Sequence, residues 1–136
     1  MSAKKITTIS VKSSRKDQIV DITGEVSDIV RQSGVTSGVC IVYVPHTTAG
    51  VTINENADPD VKSDFLMGLS EIVPSNLGYS HAEGNSPAHI KASLTGISAN
   101  MMVDNGTLVL GTWQGIYFCE YDGPRSRKVH VKVIEG

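Results

Sequence analysis

The run Val39-Cys-Ile-Val-Tyr-Val44 constrains the fold most. Together with Gly38 it is almost wholly apolar and rich in β-branched side chains, so it reads as a central strand buried on both faces. Strand-like runs recur around it. Lys5 to Lys12 alternates, with Ile6, Thr8 and Ser10 on one face and Thr7, Ile9 and Val11 on the other, as in a strand near an edge. Ile19 to Ile22 is a short strand or an approach to a helix. Gly50 to Asn54 resumes alternation, with Val51 and Ile53 facing one way. Met101 to Val103, the tight-turn signal Asp104-Asn-Gly106, and Thr107 to Leu110 read as a hairpin. Ile116 to Tyr121 is a further strand. Arg127 to Ile134 is a half-exposed final strand, with Val129, Val131 and Val133 on one side.

Three helices interrupt this pattern. Thr23 is a good N-cap, and Val26, Ile29 and Val30 recur at helical spacing before the stop at Gly34. Asp58 caps a second helix opened by Pro59, with Val61, Phe65, Leu66, Leu69 and Ile72 as its apolar stripe. Ser86 caps a third, opened by Pro87, with Ile90, Leu94 and Ile97 on one face. Many antiparallel strands with three helices predict an α+β domain with a mixed or mainly antiparallel sheet. The 136 residues suit a single domain spanning 1–136.

The hydrophobic content of 40% and charged content of 19% are those of an ordinary soluble chain, and the net charge of -2 argues against a nucleic-acid binder. Cys40 and Cys119 lie within apolar runs and read as small buried hydrophobes. No basic n-region precedes an apolar stretch, and no long apolar span occurs, so a cytoplasmic location with no membrane contact is expected.

Chemistry concentrates in Pro45 to Asp60, where a strand end, a polar loop and a helix start meet. The clusters at His81 to His89 and Glu120 to Lys128 are expected to close around it. His46, His81 and His89 lie at element ends or on loops, where neutral imidazoles can converge on a divalent ion. Zinc would suit three nitrogens plus water, and separate hydrogen-bonding roles are the alternative. His130, on the side of Lys128 and Lys132, reads as a solvated strand residue.

Glu55 and Glu83 have no visible structural duty and are the better candidates for moving a proton. Asp58 combines a capping role with a place near the histidines. Thr47, Thr48, Asn54, Asn56 and Gln114 can hydrogen-bond phosphate or hydroxyl groups. Arg125 and Arg127 can clamp an anion bidentately. Glu120 ends an apolar strand, on the face of Ile116 and Phe118, and calls for a cationic partner in Arg125 or Arg127. Trp113 is read as a packing residue, with ring stacking the alternative.

The segments His46-Thr-Thr-Ala-Gly-Val-Thr-Ile-Asn-Glu-Asn-Ala-Asp-Pro59, Pro87-Ala-His-Ile-Lys91 and Gly111-Thr-Trp-Gln-Gly-Ile-Tyr117 are together hard to match by chance. With them the chain, over nearly its whole length, resembles the YjbQ-like family, whose members are called secondary thiamine-phosphate synthases. The resemblance implies a β-sandwich-like α+β fold, a homotrimer, and sites near subunit boundaries. It implies that His46, His81 and His89 gather at one site around a metal, with Glu55, Asp58, Glu83, Glu120 and Arg127 as recurrent charged positions. The activity it implies, a side activity in some members, joins a pyrimidine diphosphate to a thiazole phosphate. One departure concerns the segment before Pro87. Many family members carry an acidic pair and a longer loop there, whereas only Asn85-Ser86 follows Gly84 before Pro87 in this chain. The expected function is therefore a small metal-assisted enzyme acting on a phosphate-bearing small molecule, with no organic cofactor. A metal-dependent phosphoester hydrolase and a non-catalytic trimeric binder of an anionic metabolite or metal are the alternatives.

Overall fold

The computed structural model describes residues 5–136. In chain order the elements are β1 (Thr7–Lys12), β2 (Gln18–Asp21), α1 (Thr23–Ser33), β3 (Ser37–Tyr43), β4 (Ala49–Glu55), α2 (Pro59–Ile72), α3 (Ser86–Thr95), β5 (Ser98–Asp104), β6 (Thr107–Leu108), β7 (Gln114–Glu120) and β8 (Ser126–Glu135). Two antiparallel sheets form, ordered β1-β8-β3-β5-β6 and β2-β7-β4. Every connection except β5–β6 passes from one sheet to the other, with α1 lying between β2 and β3 and α2 and α3 between β4 and β5. The expected mainly antiparallel α+β architecture with three helices is what forms, and β1 is an edge strand as its alternation predicts.

The main core lies between the sheets and is closed by α1. Ile9, Val11, Cys40, Val42, Met101, Val129, Val131 and Val133 come from the larger sheet. Ala49, Val51, Ile116 and Phe118 come from the smaller one, and Val26 and Val30 from α1. A second apolar cluster covers the other face of the smaller sheet. There Ala88 and Ala92 of α3 and Phe65, Leu66 and Leu69 of α2 pack on Cys119 and Tyr121. The buried Lys91 ammonium is held by Asp17 at 2.7 Å and Ser70 at 3.2 Å, tying α3 to α2 and to the β1–β2 loop. Burial pushes the Cys40 thiol up to about 11 and the Cys119 thiol up to about 12, so both stay protonated hydrophobes at neutral pH.

The strand buried on both faces is β7, not β3. In β7 every residue from Gly115 to Glu120 is buried, because the main core lies on one side and α2 and α3 lie on the other. In β3 only Cys40 and Val42 are fully buried, while Val39 is 40% and Tyr43 43% exposed. An apolar run shows that a strand can be covered, and the neighbouring elements decide which sides are.

Two helix starts also differ from expectation. The residue at the α1 N-cap is Ile22, and Thr23 is the first helical residue, because its hydroxyl donates to Asp21 Oδ1 at 2.6 Å and accepts from the Ile116 N–H at 2.8 Å. At α3 the cap position is Asn85, one residue before Ser86, and its side chain turns to Asp122 instead of to the helix. Asp58 caps α2 as expected, accepting from the Asp60 N–H at 2.9 Å, with Pro59 at the start. The Asp104-Asn-Gly106 turn forms with both Asn105 and Gly106 at positive φ, the mirror-image turn that matches strand twist.

Phe118 is fully buried between the sheets. Phe118→Ala is expected to lower unfolding stability by roughly 3–5 kcal/mol in urea titrations, the cost of a large core cavity. A loss below about 1 kcal/mol would contradict a core closed at this position.

Candidate functional site

Along β4, Ala49 pairs with Glu120 and Glu55 pairs with Gln114. The seven residues of this strand separate its ends by about 20 Å at a rise of ~3.3 Å per residue. The polar stretch from Pro45 to Asp60 therefore does not fold into one loop. Its His46-Thr47-Thr48 part lies at one end of the smaller sheet, and its Asn54-Glu55-Asn56 and Asp58 part lies at the other. Within one chain, Glu55, Asp58, Asn54 and Gln114 do not join the histidine and arginine groups.

At the far end the polar groups hold the backbone. Glu55 Oε2 accepts from the Ala57 N–H at 3.1 Å, which is a structural duty the sequence did not reveal. Asn54 Oδ1 accepts from the Glu55 N–H at 2.7 Å. Gln114 Oε1 accepts from the Gly111 N–H at 2.8 Å, and its carbonyl accepts from Asn56 Nδ2 at 3.2 Å. Glu55, Asp58 and Trp113 line an open recess of about 480 Å³. Trp113 is 63% exposed and is not part of the core.

At the near end lies a buried ion pair. Glu120 is fully buried and Arg127 is 4% exposed. Arg127 Nε donates to Glu120 Oε1 at 2.9 Å and Nη2 closes the second arm to Oε2. Nη2 also reaches Thr48 Oγ1 at 2.9 Å and the Thr48 carbonyl at 3.3 Å. Ser13 Oγ donates to Glu120 Oε1 at 2.8 Å, and the Asp122 N–H donates to Oε2 at 3.0 Å. Burial by itself would raise the Glu120 carboxyl. The bonds from Arg127, the Asp122 N–H and Ser13 together hold it below the usual carboxylate range. Glu120 thus has the cationic partner it calls for, and the Arg127 and Thr48 side chains expected to hold phosphate are bonded within this cluster. The Arg127 partner for Glu120 was among the two that the sequence offered.

Outside this pair lies a second, more exposed layer. Arg125, 49% exposed at its side chain, donates from Nη2 to Asp122 Oδ2 at 3.1 Å and from Nε to the Asp122 carbonyl at 2.9 Å. Asp122 Oδ2 also accepts from Asn85 Nδ2 at 2.9 Å, which ties the start of α3 to the β7–β8 turn. Close to that helix start, the His81 and His89 rings meet edge-to-face with centroids 5.4 Å apart. Glu83 Oε1 lies 3.5 Å from His81 Nε2. Asp122 and Asn85 were missed in the sequence because each reads as an ordinary turn residue; only their meeting makes them structural.

His46 leaves the end of β3, and its Nε2 accepts from the backbone N–H of Lys128 at 2.9 Å. Burial first, and then the Arg127 and Arg125 charges, push its pKa below the usual imidazole range, against the opposing backbone hydrogen bond at Lys128 and the Glu120 charge. Among the described residues no three His, Cys, Asp or Glu side chains are grouped so as to hold a metal. Two of the three expected ligands, His81 and His89, are brought together, and His46 has its Nε2 lone pair engaged. His130 sits against Thr8, whose hydroxyl lies 3.0 Å from Nδ1.

The fold is a two-sheet, mainly antiparallel α+β sandwich that carries a buried arginine–carboxylate pair at one end. The family model described as UPF0047 protein YjbQ-like matches residues 7–136, and the chain belongs to that family. UPF0047 protein YugU of Bacillus subtilis is 51% identical over 128 residues, covering 93% of this chain and 97% of that protein. A UPF0047 protein of Methanocaldococcus jannaschii is 50% identical over 124 residues, covering 91% and 90%. Among solved structures, a YjbQ/UPF0047 family protein of Clostridium acetobutylicum superposes with a TM-score of 0.92 at 57% identity, covering 94% of this chain and 99% of that one. A YbjQ-like protein of unknown function from Sulfolobus solfataricus gives 0.93 at 33% identity, covering 97% of each chain.

Arg127→Ala leaves a buried carboxylate without its partner, so a loss of roughly 3–5 kcal/mol is expected. Arg125→Ala should cost less than about 1 kcal/mol. Because the folded pKa of Glu120 is depressed, its stabilisation is present above the ordinary value of 4.5 and is lost as pH falls through the folded value. Denaturant titrations across acid pH should show a shallower decline in Glu120→Gln than in the unaltered chain. Equal declines would rule out an ionised, paired Glu120.

Proposed function

We propose that the protein is a small enzyme acting on a phosphate-bearing small molecule at the rim formed by His46, Thr47, Arg125, His81 and His89. The observation that carries this reading is the His81–His89 imidazole pair, with Glu83 beside it, on the segment that Asn85 and Asp122 bind to the Arg125 turn. Imidazoles and a guanidinium on one rim suit a substrate that carries negative charge and releases more of it as a diphosphate leaves. Secondary thiamine-phosphate synthase chemistry, in which a ring nitrogen displaces diphosphate from a pyrimidine methyl carbon, is the reaction we assign to it. Glu83 is the remaining candidate for moving a proton, since Glu55, Asp58 and Glu120 all hold structural partners.

The metal-assisted form of this reading requires more than one chain. A catalytic zinc takes three protein ligands and a water. One chain supplies the His81–His89 pair, so the third donor would come from a neighbouring copy in a homotrimer. The outer face of the larger sheet supports such an assembly. Val39 pairs laterally with Met102 on β5 and with Ile134 on β8, which makes an apolar row exposed at 40%, 66% and 42%. A non-catalytic trimeric binder of an anionic metabolite is favoured by the same commitment of the carboxylates to structure. A phosphoester hydrolase would differ only in using water as the acceptor. The described helices include none long and apolar enough to cross a membrane.

The test uses purified protein with pyrimidine diphosphate and thiazole phosphate, with and without added zinc. Thiamine phosphate should form, and His81→Ala should lower both its formation and the recovered metal to background while leaving the fold intact. Ligand-dependent thermal stabilisation without product would select the binder instead. Light scattering should report a trimer for the unaltered chain and a smaller species for Met102→Lys; a monomeric unaltered chain would rule out the shared metal site.

A further inference from the structure

His46 was expected to be a metal ligand, but its surroundings give it a different chemistry. The Lys128 N–H is a donor only, so the Nε2 that it meets at 2.9 Å must present a lone pair. Neutral imidazole carries one N–H, so the proton sits on Nδ1. Nδ1–H has no acceptor among the described residues. Neither nitrogen then offers a metal a free lone pair without first breaking the bond to β8 or removing a proton.

That bond is well supported. Lys128 is on β8 next to Arg127, whose buried pair with Glu120 fixes the start of the strand. On the other side, the Val44 N–H donates to the Ile97 carbonyl at 2.7 Å, which fixes the chain just before Pro45-His46. The chain is therefore fixed just before His46, and the ring, bonded to β8 through Nε2, cannot turn without losing that backbone hydrogen bond.

What surrounds the ring selects its ligand. Arg127 is neutralised by Glu120, and Arg125 is bound to Asp122 yet half exposed. Both arginine charges act on His46. Lys128 is exposed on the strand that bonds to it, and Thr47, the next residue, is exposed as well. The groups around it are thus mostly donors and cations.

We infer that His46 is a neutral Nδ1–H donor of fixed tautomer that grips a phosphate or diphosphate oxygen of the ligand, and is not one of the protein's metal ligands. A donor held in this way gives up no proton and needs no reorientation as charge builds on the oxygen. This rests on the phosphate-substrate reading above and assigns one residue its part in it. It also leaves His81 and His89 as the imidazoles available to a metal.

The experiment is a long-range proton–nitrogen spectrum of the 15N-labelled full chain at neutral pH. The His46 Nδ1 signal should have the shift of a proton-bearing nitrogen and Nε2 that of an acceptor. A scalar coupling across the hydrogen bond should link Nε2 to the backbone-assigned Lys128 amide, which identifies the ring without any variant. Inorganic phosphate, then diphosphate, should move the Nδ1 signal saturably, and zinc should move His81 and His89 while leaving His46 in place. Diphosphate binding should weaken about tenfold in His46→Leu, the loss of one hydrogen bond to a charged group. His46→Gln, which can accept and donate at once, should retain most of it. A proton on Nε2, a zinc-induced shift at His46, or an Nδ1 signal indifferent to both anions would overturn the inference. None of these readouts requires turnover, so absence of thiamine phosphate alone would count against the proposed reaction and not against the role of His46.

Discussion

The pairing of Glu120 with Arg127 organises the end of the molecule where function is sought. Glu120 closes β7 in the smaller sheet, and Arg127 opens β8 in the larger one. Both side chains point into the space between the sheets, on the same faces as Phe118 and Val129. Two opposite charges in such a place cost a great deal unless every lone pair and proton is met. Here Thr48, Ser13 and the Asp122 N–H complete the set. A short crossing between two sheets is thereby fixed in angle, and with it the turn that carries Asp122 and Arg125.

The exposed groups depend on that buried layer. Asp122 can receive both Arg125 and Asn85 only because the turn after β7 is fixed. Asn85 in turn fixes the segment on which His81 and His89 meet. His46 is placed by the first residues of β8, one position beyond Arg127. Three regions distant along the chain thus share one anchor, and the ionisable groups that cannot reach water serve mainly to position those that can.

The chain's opposite pole illustrates how a compact motif can mislead. Pro45 to Asp60 looks like a single dense polar loop, yet its middle, Ala49 to Glu55, is a full-length strand. The alternation at Val51 and Ile53 was visible, and it implied that His46 and Glu55 stand far apart. The far pole keeps Glu55 and Asp58 beside Trp113, with their oxygens bonded to the backbone.

Local patterns determined most of the architecture. Period-two and helical apolar spacing marked the strands and helices; Asp58-Pro59 and Asp104-Asn-Gly106 marked a start and a turn. The family motifs were legible for the same reason, since each lies within one short segment. Tertiary structure decided which strand is covered on both faces, because β3 is the more apolar of the two and yet β7 is the one with elements packed on either side. It also decided that Glu120 and Arg127 belong to the interior, that His81 and His89 meet, and that His46 turns its Nε2 to a backbone donor. Those outcomes depend on partners far away in sequence, and an isolated side chain carries no record of the group that will satisfy it.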